Sequence, residues 1–352
     1  MPQLIEQLRM PDAAITAAQQ YQQEHQSRVI RELEWHASVD VTIAGGVAVP
    51  TTDAAAKIFG SRIEVVQNEE PIIAVSPIDL RHISACLLGS YQRNTEQTAV
   101  AVNVINESVI RLPLDALVPG TMIDGRQTKV LVRGKFGTAA EYGTNTTING
   151  GTVRTSMRAA NSTSSQGYLR PAWSQAERAI ETAQQDLQFS KRFEKLQRLP
   201  GVFLRTFDSS GDAAAAARVN GLLRRITIEH SSPDRTRQIY SATWGEALND
   251  TKTRFGIPLG EQKDGFVFLP LDYHDEETDR VVPLTVGPGH SLMFHFDTIS
   301  SVEEQFTPIT PAANDLVVLT FPASDVIPTA SGVQALQRRV SRGRGARGLR
   351  TT

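Results

Sequence analysis

Residues 63–80 read IEVVQNEEPIIAVSPIDL, and this stretch decides the fold class. Two short apolar runs flank the polar segment QNEEP, which predicts two antiparallel strands joined by a turn. Ser76, Pro77 and Asp79 then have the residue types of a helix N-cap, a first helical position and an acidic first turn. The stretch therefore predicts a β-hairpin followed by one short helix that ends near Leu88.

Strand and turn signals recur along the rest of the chain. In the first half, further strands are predicted at residues 39–43, 47–49, 99–105, 109–114, 129–132 and 146–157. In the second half, the clearest strands lie at residues 202–207, 222–228, 265–271, 281–286, 291–296 and 316–321. Asn106-Glu107 is the predicted turn between two of them. Such frequent turn signals are typical of antiparallel sandwiches and argue against a βαβ sheet.

Three further segments have a helical or an ambiguous composition. Residues 11–33 are rich in Ala, Gln and Glu after Asp12, a residue that favours the N-cap, and this predicts an N-terminal helix. Residues 235–248 predict another short helix. Residues 174–198 fit a helix or a long strand equally well, because their aromatic residues suit either period.

The length of the chain favours two domains. The chain has 352 residues, which is longer than the chain length at which a single hydrophobic core usually stops growing. In addition, the order strand, turn, helix and further strands occurs twice. We therefore predict an all-β chain of two tandem antiparallel sandwiches, about eight strands each, with short inserted helices and an N-terminal helix. The predicted segments are a helical arm (residues 1–34), a first sandwich (35–160), a linker (161–173), a second sandwich (174–328) and a basic tail (329–352).

The bulk composition excludes several functional classes. The 36 basic and 38 acidic residues leave a formal net charge of −2, so the chain as a whole is not a polycation. The single cysteine, Cys86, cannot form an intramolecular disulfide and lies in an apolar run, which predicts a buried thiol. The sequence shows no signal peptide and no run of about 20 apolar residues that would span a membrane, so we expect synthesis in the cytosol.

Positive charge is concentrated in the last segment. Six arginines follow Asp325 without any further acidic residue. They are Arg338, Arg339, Arg342, Arg344, Arg347 and Arg350. Such a tail can bind the phosphates of nucleic acid or lipid headgroups, or it can serve only to solubilise the chain. Residues 343–348 also match GxGxxG, but the strand and βαβ unit that a dinucleotide site requires are not predicted around them.

Metal and catalytic motifs are weak. The chain has seven histidines: His25, His36, His82, His230, His274, His290 and His295. None forms a His-x-His pair, the spacing that directs two imidazoles to one face of a strand. Residues 272–279 (DYHDEETD) are dense in oxygen ligands for calcium, yet they lack the glycine of a calcium loop, and charged turns are usually only solvated. Without a nucleophile-elbow, Walker A or HExxH motif, we predict neither a catalytic residue nor a cofactor.

Parts of both halves resemble a known family. The strand, Asn-containing turn, strand and Asp-Leu helix of residues 63–80 are similar to those of the double jelly-roll major capsid proteins of tailless, internal-membrane bacteriophages, the viral coat protein P2 group. Residues 199–201 (LPG) and 265–272 (GFVFLPLD) resemble the second jelly roll of that group. The resemblance covers about residues 35–325 and rests on layout.

This resemblance implies a structural role. The two sandwiches would be jelly rolls standing side by side, and a homotrimer would form a pseudo-hexameric capsomer of an icosahedral virus shell. Strands would stand roughly normal to the shell, and both chain ends would point inward. The partners would be further copies of the chain, penton and minor capsid proteins, and internal membrane lipids or the packaged genome through the arginine tail. The chain would be made in the host cytoplasm, reside in the virion and catalyse no reaction.

Two alternatives remain open from the sequence. A bicupin-type metalloenzyme also has two tandem β-barrels, but it would bind a transition metal, and the missing His-x-His spacing counts against it. Another virion component, such as a spike, a penton or a carbohydrate-binding module, would share the sandwiches and bind a ligand or receptor. A single jelly roll suits a penton, so the length of this chain favours the major capsid protein.

Overall fold

Strands make up most of the regular structure in the computed structural model. It describes residues 5–9, 13–15, 19–26, 28–44, 54–92, 94–95, 101–126, 128–143, 145–160, 168–180, 186–208, 217–257, 264–275, 279–298 and 315–326. No helix in these ranges is long and apolar enough to span a membrane.

The first half of the chain, to Ala160, forms the first lobe. Its strands are β1 (Ile5–Arg9), β2 (Ala13–Ala14), β3 (Gln20–His25), β4 (Val29–Ile43), β5 (Ile63–Gln67), β6 (Glu70–Val75), β7 (Asn94–Thr95), β8 (Ala101–Pro113), β9 (Ile123–Asp124), β10 (Val130–Lys135) and β11 (Thr146–Ala160). Its helices are α1 (Ala54–Lys57), α2 (Pro77–Leu88) and α3 (Ala139–Tyr142).

The second half, from Tyr168, forms the second lobe. Its strands are β12 (Leu169–Ile180), β13 (Leu187–Arg192), β14 (Gln197–Leu199), β15 (Gly201–Asp208), β16 (Ala217–Arg218), β17 (Leu223–Ser231), β18 (Thr236–Thr243), β19 (Phe266–Pro270), β20 (Tyr273–Asp275), β21 (Arg280–Val282), β22 (Leu284–Val286), β23 (Ser291–Thr298) and β24 (Asp315–Val326). One helix, α4 (Trp244–Phe255), lies between β18 and β19.

Three larger sheets form the body of the molecule. A seven-stranded sheet has the order β1-β11-β4-β8-β7, with β2 beside β11 and β9 beside β4. An eleven-stranded sheet runs β16-β15-β24-β12-β6-β5-β10-β3, with β14, β19 and β22 attached to the part that belongs to the second lobe. A four-stranded sheet has the order β13-β23-β17-β18. Among the described strands, β20 and β21 pair only with each other.

These sheets enclose two hydrophobic cores. In the first lobe, Trp35 and Val39 of the seven-stranded sheet share a buried cluster with Val65 and Val132 of the eleven-stranded sheet. In the second lobe, the inner residues of the four-stranded sheet pack on β15, β19 and β24. The prediction of two tandem antiparallel sandwiches is therefore confirmed.

One sheet serves both lobes. Strand β12 of the second lobe runs parallel to β6 of the first, with Trp173 opposite Ile73. All other strand pairs among the described residues are antiparallel. This parallel pair, together with an isolated parallel bridge between Thr121 and Leu169, joins the two sandwiches side by side through their backbones.

The stretch that decides the fold has the predicted structure. Strands β5 and β6 form the hairpin, and Asn68 and Glu69 adopt positive φ angles at its turn. Ser76 is the N-cap of α2, and its side chain accepts a hydrogen bond from the Asp79 backbone N–H at 3.2 Å. Pro77 opens the helix.

The predicted N-terminal helical arm, residues 1–34, is wrong. Residues 20–25 are strand β3, whose buried residues alternate with exposed ones, and Tyr21 stacks on Phe136 with ring centroids 4.7 Å apart. The Thr155 backbone N–H donates to the side-chain oxygen of Gln23 at 3.0 Å. Pairing with β10 and these buried contacts outweigh the helical propensity of Gln and Ala, because propensity is a weak bias that tertiary packing overrides.

Three other boundaries differ from the prediction. The predicted turn Asn106-Glu107 lies inside β8, where the buried Asn106 side chain donates to the Tyr142 hydroxyl. The predicted linker, residues 161–173, is shorter than expected because β12 begins at Leu169. Residues 174–198, whose sequence fits a helix and a long strand equally well, are mostly strand in the described part of this segment.

The predicted helix at residues 235–248 begins too early. Residues 236–243 are the edge strand β18, and the helix starts at Trp244. Thr243 and Glu246 form a capping box in which each side chain accepts a hydrogen bond from the other's backbone N–H, at 3.3 and 2.7 Å. This motif satisfies two N–H groups that a helix leaves free, so it fixes the helix start.

We predict that His25 makes the first lobe sensitive to acid. Burial lowers the pKa of His25 to about 4, below the ordinary value of about 6.5 for the unfolded chain. As pH falls from about 6.5 to 4, the unfolded chain takes up a proton that the folded chain excludes, so stability falls by about 3 kcal/mol. Denaturant midpoints measured across this range should fall less steeply in His25→Gln.

The exposed His274 supplies the control, because His274→Gln removes an imidazole outside both cores. It should leave the slope of stability against pH unchanged. Equal slopes for His25→Gln and the unmodified chain would contradict the burial of β3.

Candidate functional site

The junction between the lobes is built from strands that are buried on both faces. Along β15, Val202 and Leu204 point into the second core, whereas Phe203 belongs to the first. On β19, Phe268 belongs to the first core and Val267 to the second. Continuous apolar runs are expected where a strand is covered on both sides, and alternation is expected where one side is solvated.

Aromatic rings from both lobes meet at this junction. Phe203 lies 4.8 Å from Phe268 and 5.6 Å from Phe266, measured between ring centroids. Helix α2 of the first lobe adds His82, whose ring lies 5.2 Å from Phe266, and α4 adds Phe255, 5.2 Å from Phe268. The contacts make one apolar cluster out of residues from the two lobes.

A buried ion pair crosses the same junction. The Arg205 guanidinium of β15 lies 2.6 Å from the Asp79 carboxylate of α2, and their side chains are only 7% and 1% exposed. The Ser76 hydroxyl donates to Asp79 at 2.9 Å, and the Gln175 amide of β12 donates to it as well. Arg205 also lies 3.8 Å from the centre of the Phe207 ring.

This polar cluster fixes how the two lobes meet. Its members come from α2 of the first lobe and from β12 and β15 of the second, and the Ser76 backbone N–H donates to the Gln175 side chain at 3.1 Å. A buried charge is tolerated only when its partner and its hydrogen bonds are in place. Any shift of one lobe against the other would therefore leave charge without a partner in a dry interior.

The chain ends described by the structure lie at one end of the strands, which we call the base. Ile5 pairs with Ala160, and Ala160 also lies opposite Val29 of β4. Val29 pairs in turn with Asp124. Asp124 lines one cleft together with Val326, the last described residue. Both ends of the described chain, and the start of the segment that joins the lobes, therefore leave from the base.

A polar cleft of about 350 Å³ separates the lobes at the base. Arg170 of the second lobe contacts Glu70 of the first at 3.2 Å and Asp325 at 2.8 Å. The Lys195 ammonium also contacts Glu70, and this hydrogen bond, with the nearby charge of Arg170, holds the pKa of Glu70 below its usual value. Partly exposed pairs of this kind contribute about 0–1 kcal/mol each, so they orient the lobes more than they stabilise them.

The predicted arginine tail lies outside the described residues. The same holds for the GxGxxG match at residues 343–348 and for all six arginines named above. What the structure does place is the start of this segment, because Val326 ends β24 in the basal cleft.

The seven histidines are dispersed over the molecule. His25 contacts the Thr155 hydroxyl at 3.0 Å, and His82 contacts the Tyr91 hydroxyl at 2.9 Å. His230 and His290 pair with each other at 2.9 Å. Among the described residues, no group of three or more His, Cys, Asp or Glu side chains is placed to hold a metal ion.

Within the acidic run at residues 272–279, Tyr273–Asp275 form strand β20, which pairs with β21. The Asp272 carboxylate receives two hydrogen bonds from Arg254, one of them at 3.0 Å, and His274 contacts Asp279 at 3.1 Å. The carboxylates of Asp272 and Asp279 are therefore engaged by basic side chains. Cys86 is buried as predicted, and burial raises the pKa of its thiol to about 12, which keeps it protonated and unreactive.

Sequence reasoning missed the ion pair at the junction. Asp79 was interpreted only as a first-turn acid of the predicted helix, and Arg205 was included only within the predicted strand at residues 202–207. A charged residue within a run that is otherwise buried on both faces was the available signal, because such a charge requires a partner.

We predict that Arg205→Met destabilises the folded chain by about 3–5 kcal/mol, because Asp79 would remain as an uncompensated buried charge. The melting temperature should fall by about 10 °C. The control is Arg133→Met, because Arg133 is 47% exposed where it pairs with Glu64, and its loss should cost about 0–1 kcal/mol. Adding Asp79→Asn to Arg205→Met should recover part of the loss. Equal melting temperatures for the two single variants would contradict this role.

The fold was compared with known proteins. No protein-family model and no curated protein matches the chain. Solved structures do match. The atomic structure of Sulfolobus Turreted Icosahedral Virus includes a chain that is similar over 96% of this chain and 97% of its own length, with a TM-score of 0.70 and 9% identity. The PBCV-1 virus capsid gives a TM-score of 0.56 with 10% identity, over 92% and 94% of the two chains.

The major capsid protein P2 from Bacteriophage PM2 is a third similar structure. It aligns with 93% of this chain and 99% of its own length, with a TM-score of 0.52 and 6% identity. In each case the alignment spans both lobes and their junction, so it concerns the arrangement of two sandwiches and not one sandwich alone. The chain therefore has the double jelly-roll fold that is found in these virus capsids.

Proposed function

We propose that this chain is a structural major capsid protein of an icosahedral virus. Three copies form one capsomer, in which the six lobes give a pseudo-hexameric outline, and the protein catalyses no reaction. The observation that carries the proposal is the junction. Two similar sandwiches are locked into one block by a shared sheet, an aromatic cluster and the Asp79–Arg205 pair.

A rigid block of two lobes suits a lattice subunit. Shell contacts between copies are individually weak, and a subunit whose halves moved would lose entropy each time a contact formed. Because the continuous sheet at the junction already fixes the two halves in the free subunit, this entropy is not lost during assembly. Closed assembly by a threefold axis then requires only one type of heterologous contact, repeated three times.

The position of the chain ends supports an orientation in the shell. Both leave from the base, so in the proposed capsomer the base faces the interior of the virion. The arginine tail that follows Val326 then reaches internal membrane lipids or the packaged genome through their phosphates. Penton and minor capsid proteins complete the shell, and the chain is made in the host cytoplasm.

The two alternatives lack comparable support. The described histidines contact hydroxyls, carboxylates or each other, which is unlike the convergent ligands of a cupin metal site. A penton or spike would need one lobe or an added receptor surface, whereas the two lobes here share one sheet through the pairing of β6 with β12.

We predict a metal-free homotrimer in solution. Light scattering of the purified full-length chain should give about three times its mass of 38.5 kDa. Elemental analysis of the same sample should show no stoichiometric transition metal. A metal-loaded monomer or dimer would contradict the proposal and favour the cupin reading, and a pentamer would favour the penton.

We also predict that the six tail arginines bind phosphate-bearing surfaces. Replacing all six by glutamine should strongly weaken sedimentation of the trimer with anionic phospholipid vesicles, with a DNA fragment, or with both, and the partner whose binding weakens identifies the interior contact. Binding by the unmodified chain should weaken steeply with salt. The glutamine variant should remain trimeric. Undiminished binding to both partners would contradict the role of the tail.

A further inference from the structure

A cluster of basic side chains occupies the basal end of the four-stranded sheet. We call His230, His290, Arg235 and Arg237 the basal rim. The Nε2 atom of His230 lies 2.9 Å from the Nδ1 atom of His290, and the two ring centroids are 5.1 Å apart. His230 is only 7% exposed, and its ring contacts this second imidazole.

Strand register brings the arginines to the histidine pair. His230 of β17 lies directly opposite Arg237 of β18, so both side chains project to the same face of the sheet. Arg235 belongs to the tight turn between these strands, where its backbone N–H and carbonyl bond to Ser232. His290 ends the turn between β22 and β23, and this turn packs on the first, since a Cβ on Gly289 would lie 3.2 Å from Pro233.

The rim lies close to the basal cleft. The His290 backbone N–H donates to the Gly287 carbonyl at 2.9 Å, and Gly287 packs on Leu196. The Leu196 carbonyl in turn accepts a hydrogen bond from the Val326 N–H at 3.2 Å. These contacts put the histidine pair at the same end of the molecule as the start of the arginine tail.

Basic side chains outnumber acidic ones around the rim. Strand β13 adds Lys191 and Arg192 on one side. The acids that are near in sequence are Glu194, which follows β13, Asp234 in the β17–β18 turn and Glu229 of β17, whose carboxylate lies 3.6 Å from His295. Within the described ranges, neither Arg235 nor Arg237 forms a side-chain ion pair or hydrogen bond. Burial, followed by the charges of His290, Arg237 and Arg235, lowers the pKa of His230.

We propose that the basal rim binds one phosphate-type oxyanion and that binding is coupled to proton uptake by the His230–His290 pair. The two guanidinium groups supply charged N–H donors in the geometry that such anions prefer. A bound anion offsets the repulsion that opposes an imidazolium beside two arginines. The anion is a free phosphate or the phosphate of a lipid headgroup, and the site does not depend on the proposed shell.

The direction of the pH dependence follows from linkage. The anion favours the protonated pair, so the bound state has the higher histidine pKa. The affinity of the rim for the anion therefore rises as the pH falls. This rise occurs over the pH range in which the His230–His290 pair is neutral without the anion and protonated with it. One coupled proton gives at most a tenfold change in affinity per pH unit.

Sulfate is a suitable probe, because it stays a dianion throughout this pH range whereas phosphate itself titrates. Calorimetric titration of the full-length chain should give an affinity about tenfold higher at pH 5.5 than at pH 7.5. Repeating the pH 5.5 titration in two buffers of different ionisation enthalpy should show uptake of about one proton per anion. Binding without proton uptake would overturn the coupling.

Variants separate the rim from the arginine tail, which also attracts anions. Arg235→Gln combined with Arg237→Gln should weaken sulfate binding at the rim about tenfold at both pH values, and both residues are exposed, so folding should persist. His290→Gln should keep weak binding and lose its pH dependence. The controls are Arg178→Gln, an exposed arginine at the opposite end of β12, and His274→Gln. Unchanged binding in the double arginine variant would overturn the site.

The source of the anion is resolved by a second comparison. Vesicles of phosphatidylglycerol should retain the unmodified chain better than the double arginine variant at pH 5.5 if the headgroup is the ligand. Equal retention of the two chains, together with a sulfate affinity that still depends on the rim, identifies free phosphate as the ligand. The proposal would be refuted if the double arginine variant bound both sulfate and the vesicles as well as the unmodified chain does.

Discussion

One sheet has to serve two sandwiches, and the rest of the structure depends on this constraint. Strands β15 and β19 are covered by the second core on one face and by the first lobe on the other. Neither face is available to water, so these strands carry near-continuous apolar runs in place of alternation. The one charge in β15 that lies in this interior, Arg205, needs the Asp79 carboxylate of the first lobe. Residues of the second lobe therefore help to form the first core, and the buried charge of each lobe needs its partner in the other lobe.

This constraint explains why the molecule has two distinct ends. The strands of both lobes run between the base and the opposite end because β6 and β12 are aligned in parallel. At the base the connections are short, as in the β5–β6 hairpin, and the chain ends leave beside the polar cleft. In the proposed capsomer, the lateral faces of this block would meet neighbouring copies and its base would face the interior.

Local signals in the sequence were enough to predict much of the fold. The hairpin at residues 63–75 and the Ser76 cap depend on neighbouring residues, and both have the predicted structure. Residues 20–25 were mistaken for helix because their composition favours it, whereas their strand form depends on β10, more than 100 residues away. The start of α4 was misplaced although Thr243 and Glu246 spell a capping box, because the apolar residues before it suit either period.

The site was harder to predict than the fold. The Asp79–Arg205 pair and the His230–His290 pair each join residues that are distant in sequence, so no spacing rule reveals them. The arginine tail was visible as composition alone, and its residues lie outside the described ranges. Long-range pairing of polar residues depends on the strand register, and the register depends on the whole sheet.

Electron microscopy of the purified assembly tests the central claim most directly. If two rigidly joined lobes form the capsomer, class averages should show six similar density lobes in a hexagonal outline with only threefold symmetry, each adjacent pair belonging to one chain. Separate lobes at variable distance within one chain, or isolated capsomers with fivefold or twofold symmetry, would contradict the account.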